Sequence, residues 1–124
     1  MTLPPSTLAA ISRQQARVAP SRAVADVQWR VVGGWRNGLA QKTGTNAWYD
    51  AVADCVCVPA YMLDMAADTL YQPTLTHELT HAAQRERMGL AAYLVAKTFK
   101  RSALEAEAVA EESRAQKILN VHVL

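Results

Sequence analysis

The chain has 124 residues, 51% of them hydrophobic and 19% charged, with a net charge of +2. That length suits one domain, residues 1–124, able to bury a core, and the composition excludes a disordered chain. No apolar run approaches the ~20 residues that cross a bilayer, which excludes a membrane-spanning helix.

Pro4 and Pro5 lead into "STLAAISRQQARVA", where apolar residues at 8, 11 and 18 predict a helix over 6–18, stopped by Pro20. The same stretch lacks a basic region followed by an apolar core, so no secretory signal is expected and the cytoplasm is the expected compartment. Residues 1–49 hold six Lys/Arg against Asp26 alone, while residues 50–78 hold five acids and no Lys or Arg. The basic charges are scattered and no nucleic-acid motif accompanies them, so they read as a solvated face with no nucleic-acid partner.

"VQWRVV" (27–32) alternates and is rich in β-branched residues, which predicts a strand ended by Gly33–Gly34. Asn37–Gly38, Gly44 and Asn46 mark residues 35–46 as turns. Residues 47–59 read as a second stretch of strand, strongest at 53–58 and ended by Pro59. Cys55 and Cys57 lie in it one residue apart, poorly placed to bond each other; on a strand they share a face and read as small buried residues. Trp29, Trp35 and Trp48 read as core residues, with a docking surface as the other use of such a set. A short helix is expected over 60–71.

Pro73 suits a first helical turn, and apolar residues at 75, 79, 82, 83 and 88 precede Gly89, so a helix over 73–88 is expected. Residues 90–99 keep helical periodicity, and a last helix covers about 103–120. The order of elements gives a small α+β domain.

The helix over 73–88 carries "THELTH" (76–81). At ~100° per residue, His77 and His81 fall about 40° apart, while Leu75, Leu79 and Ala82 lie on the other side. Two imidazoles one turn apart can share a Zn²⁺, and Glu78 between them can reach a metal-bound water; this is the pattern H-E-x-x-H.

A catalytic zinc usually takes three protein ligands. On the last helix the apolar stripe runs through Leu104, Ala108, Ala115 and Leu119, with Glu105 ~60° from its centre, Glu112 closer, and Glu107 turned away to solvent. A carboxylate beside a buried stripe needs a partner, and a metal would supply one. Glu105 has a competing use, since "Ser102-Ala-Leu-Glu105" is a capping-box pattern, in which case Glu112 becomes the ligand or orients an imidazole. Cys57 is a further, weaker ligand option. Tyr71, Tyr93 and His122 are the candidates for stabilising an oxyanion.

"LTHELTHAAQRERMG", then "YLVAKTF", then "LEAEA" resembles the core of small gluzincin-type zinc metallopeptidases of bacteria and their phages, over about residues 55–112. The resemblance implies a zincin-like fold, with a short antiparallel sheet packed on the active-site helix and a C-terminal helix supplying the third ligand. It implies His77, His81 and Glu105 as zinc ligands, Glu78 as general base, and "DCVCV" as the edge strand beside the cleft. Many members place an aspartate four residues after the ligand glutamate, where this chain has Val109. The implied activity is peptide-bond hydrolysis on a peptide or protein substrate. Two other roles go with the same resemblance: a zinc-binding virion or assembly protein with little activity, carried in a phage particle, and a regulatory peptidase acting on one cytoplasmic partner.

Overall fold

The computed structural model describes residues 1–121. Pro5 opens helix α1 (Pro5–Val18), where its missing N–H costs nothing, and Ala19 closes it in the left-handed conformation. Strand β1 (Gln28–Val32) falls where alternation predicts it.

The turn-rich segment that follows departs from expectation. Residues Gly34–Thr43 form helix α2, capped by Gly44 at φ 71°. Ala40 is buried and the helix packs against the sheet, so tertiary contact overrides a weak helical propensity. Asn37, expected in a turn, sits within the helix and accepts a hydrogen bond from the Tyr61 N–H at 2.8 Å.

The single predicted strand over 47–59 is two, β2 (Trp48–Asp50) and β3 (Cys55–Pro59). Asp50 Oδ1 accepts from the N–H groups of Val52 and Ala53 at 3.1 and 3.2 Å, which turns the chain between them. The sheet is mixed rather than antiparallel: the order is β1-β3-β2, with β3 parallel to β1 and antiparallel to β2. "DCVCV" is therefore the central strand and not the edge. Every residue of β3 is buried, Val56 and Val58 in the main core and Cys55 and Cys57 with Val32 in a smaller cluster. A strand covered on both faces needs that continuous apolar run. Residues at the N-terminus cover the outer edge of β1, where Val31 N–H donates to the Met1 carbonyl at 2.7 Å. Among the described residues no strand pairs with the outer edge of β2.

Two 3-10 turns, Ala60–Met65 and Thr69–Tyr71, replace the expected short helix. Helix α3 (Gln72–Met88) follows, then α4 (Leu90–Phe99) and α5 (Arg101–Leu119). Gly89 at φ 84° makes the break between α3 and α4, a conformation that favours glycine. Leu75, Leu79 and Ala82 of α3 are fully buried in the core. Gln15 of α1 is buried too, donating to the Gln72 carbonyl at 3.0 Å and accepting from the Thr76 hydroxyl at 2.9 Å, so α1 is tied to the start of α3. No helix of the described residues is long and apolar enough to cross a membrane.

One ion pair joins three parts of the chain. Both Arg22 amino nitrogens reach the Asp54 carboxylate, at 2.6 and 2.7 Å, and also bond the carbonyls of Ala82 and Asp26. Tyr49 of β2 donates its hydroxyl to the same carboxylate. The guanidinium holds the Asp54 carboxyl below its usual range. A depressed folded value means stability that is present above the unfolded carboxyl's pKa of about 3.9 and lost as pH falls through the folded one. Asp54→Asn is expected to cost about 3 kcal/mol at pH 7, because it leaves a buried guanidinium with only the exposed Glu86 carboxylate, 2.8 Å from its Nε, as counter-charge. In urea unfolding the difference from wild type should shrink as pH falls below about 4. Leu79→Ala should cost about 3 kcal/mol by the same measurement, with no such pH dependence, since it opens a cavity at a fully buried site.

Candidate metal centre

The buried leucines of α3 fix the roll of that helix, and its opposite side then presents His77 and His81 to α5. The two rings lie edge to face with centroids 5.0 Å apart. Leu104 and Ala108 anchor α5 by burial, and Glu105 between them is turned toward the histidines. His77 Nε2 lies 3.1 Å from one Glu105 oxygen and His81 Nε2 lies 3.0 Å from the other. One ligand atom from each of the three residues lies within 4.8 Å of the others, an arrangement that could hold a metal ion. The capping box does not form: α5 begins at Arg101, and no side chain caps it.

The outer ring nitrogens are also held. His77 Nδ1 lies 2.8 Å from Glu112 Oε1, and His81 Nδ1 lies 2.9 Å from Gln84 Oε1. Every ring nitrogen thus faces an acceptor, Nδ1 on the outside and Glu105 at Nε2; a cation between the Nε2 atoms and Glu105 would leave the proton on each Nδ1 and turn each Nε2 lone pair to the metal. Glu112 thus supports an imidazole from two turns beyond Glu105. Val109 lies on the exposed side of α5. Gln84 is fully buried and donates to the Leu104 carbonyl at 2.9 Å and to Glu107 at 2.7 Å.

Glu107 is exposed, as its place on the helix predicts, and has partners there. It accepts from Gln84 and pairs with Arg87 at 3.2 Å, and those bonds lower its pKa, the Gln84 bond foremost. Two positions on a helix differ by ~200°, so Glu105 and Glu107 flank the buried stripe on either side. Cys57 is fully buried on β3 in the cluster with Val32, apart from the His77, His81, Glu105 group. Of the tryptophans, Trp29 is in the core, Trp35 is exposed and Trp48 is half-buried.

A cleft of about 130 Å³ opens beside this cluster. Its walls are Trp48 and Tyr49 of β2, Glu78 and His81 of α3, Tyr93 and Lys97 of α4, and Arg101, Leu104 and Glu105 of α5. Burial pushes the Glu78 carboxyl up to about 7, with the Glu105 and Glu112 charges adding to the rise and the His77 charge opposing it. The Glu112 hydrogen bond raises the His77 pKa, while burial lowers that of His81. Burial, helped by Glu78 and Glu105, pushes the Tyr93 phenol up to about 12, so it keeps its proton at neutral pH. Tyr71 is spent elsewhere, donating its hydroxyl to the Asn46 carbonyl. His122 lies outside the described residues.

Sequence reasoning missed Gln84, Lys97 and Arg101. Gln84 carries a usable signal: it stands three residues after His81, one helical turn on, and shares its side of α3. Lys97 and Arg101 reach the cleft only through the bend between α4 and α5, which no local pattern announces.

Comparison with protein-family profiles, with curated proteins and with solved structures returned no match to this chain.

Metal titration should separate the ligands from their supports. His77→Ala and Glu105→Ala are expected to abolish stoichiometric binding of Zn²⁺ or Co²⁺. Glu112→Gln and Gln84→Met, which leave the three donors in place, should weaken it by about 10- to 100-fold. Equal loss in all four variants would show that Glu112 or Gln84 is itself a ligand.

Proposed function

We propose that this protein is a zinc-dependent metallopeptidase of the gluzincin kind, with His77, His81 and Glu105 as ligands and Glu78 as general base. The observation that carries the proposal is the convergence of both Nε2 atoms on the Glu105 carboxylate, beside a half-buried Glu78 in the same cleft. Two imidazole nitrogens and one carboxylate oxygen are a donor set that suits a catalytic zinc, leaving a position open. Zinc bound there would polarise a substrate carbonyl and make a water more acidic.

The protein's own groups supply the rest. Glu78, with its carboxyl near neutrality, is matched to take a proton from the attacking water and give it to the departing amine. Tyr93 offers a protonated phenol on the cleft wall for the charge that develops on the carbonyl oxygen. The open edge of β2 gives an extended peptide a strand to pair with, and strand addition fixes its direction and register. Glu112 and Gln84, each accepting at Nδ1, would hold both imidazoles in the tautomer that a metal at Nε2 requires.

Glu78→Gln is the decisive variant. It should bind zinc with wild-type stoichiometry and unfold like wild type, yet cleave a mixed peptide library at least about 10²-fold more slowly, as read by mass spectrometry. Cleavage at the wild-type rate by that variant would overturn the proposal. Tyr93→Phe is expected to lower kcat by about 10²-fold with little change in KM, as loss of a single transition-state donor does.

A further inference from the structure

Two cations stand in the cleft without a partner. Lys97 lies in the last turn of α4 and Arg101 is the first residue of α5; both line the wall facing Glu78, His81 and Glu105. Among the described residues neither makes an ion pair, although Arg22, Arg87 and Arg114 all do. Of the acids around the site, Glu105 faces both imidazoles and Glu112 holds His77, while Glu78 lines the same cleft without an ion pair to either cation. A metal would bind Glu105 more firmly still, leaving the two cations free. Arg101 is close enough to Tyr93 for its charge to act on that hydroxyl.

Resting on the peptidase reading, we infer that Lys97 and Arg101 form a carboxylate-binding subsite that selects a substrate with a negative charge on the residue adjoining the scissile bond. Trp48 and Tyr49 of β2 line the same cleft as Tyr93, Lys97 and Arg101, so a peptide paired along β2 would lie against the wall that carries both cations. The cleft holds about 130 Å³, room for one residue and little more. A carboxylate brought there meets two positive charges that no ion pair holds, with Glu78 and Glu105 on the facing wall. Its source is either the C-terminus of the peptide or an Asp or Glu side chain. The cations also offset the repulsion that Glu78 and Glu105 exert on an anionic ligand, which makes their contribution selective rather than general.

Binding tests this separately from turnover. Calorimetric titration of zinc-loaded Glu78→Gln protein would use three probes: Ac-Ala-Ala-Ala-Ala as the free acid, the same peptide as its amide, and Ac-Ala-Ala-Ala-Glu-amide. One of the two carboxylate peptides should bind about tenfold tighter than the neutral amide, a difference of about 1.4 kcal/mol. Whichever it is names the source of the charge. The advantage should collapse in Lys97→Gln/Arg101→Gln, and it should shrink in 1 M salt, where the screening length is about 3 Å. Equal affinity for all three probes, no binding of any, or a preference that survives the double variant would each overturn the subsite and leave the Glu78 test of the peptidase standing. If the protein takes up no zinc, the same titration without metal decides the subsite, while the peptidase reading falls on its own.

Discussion

Leu75 and Leu79 are fully buried in the core, and each is worth roughly 1.5–3 kcal/mol for leaving water. That burial sets the rotation of α3 about its axis, and His77 and His81 follow from it on the far side. Leu104 and Ala108 do the same for α5, so that Glu105 meets both imidazoles across the seam. The polar cluster is thus aimed by apolar contacts on the back of each helix. Gln15, tied to Gln72 and Thr76, adds a third restraint at the N-terminal end of α3.

The charges gathered in that seam do not balance. Glu78, Glu105 and Glu112 face two histidines, of which burial drives His81 toward its neutral form. Loss of water above all, and then repulsion from Glu105 and Glu112, lift the Glu78 carboxyl to about 7. A divalent cation is the counter-charge such a group suits, because it is the largest local charge in any site it enters and reverses the sign of the field around it. Tyr93 sits in the same field, and the pressure that keeps Glu78 protonatable also keeps the phenol a donor.

Helix α3 and its motif were legible in the sequence because period, start and stop signals and site residues agree within seventeen residues. Glu105 was legible as a carboxylate beside a buried stripe, with the capping pattern at Ser102 as a real competitor; the packing of α5 on α3 resolves that competition. Three features were not legible, each for a physical reason. Helix α2 contains Asn37 and Gly38 and forms because it packs on β3, a tertiary effect invisible to local propensity. The apolar run "CVCVP" serves a central strand as well as an edge, and only the pairing partner decides. Glu107 is exposed, as expected, but the bond it accepts from Gln84 of the neighbouring helix has no signal in the local pattern.

The position of β3 at the centre has a consequence for the cleft. It leaves β2, only three residues long, as the strand beside α3, and so short a strand is poorly held by its ladder alone. Its anchorage comes from the side chain of Tyr49, bonded to Asp54, which Arg22 clamps to the Ala82 carbonyl of α3. The Tyr49 ring also meets Tyr93 edge to face at 6.3 Å, so the same residue spaces β2 from α4 across the cleft. The ion pair that stabilises the fold is therefore also the spacer of the cleft. Loosening it would let β2 move relative to Glu78 without touching any of the three candidate ligands, so the width of the cleft and the geometry of the His77, His81, Glu105 group would change independently.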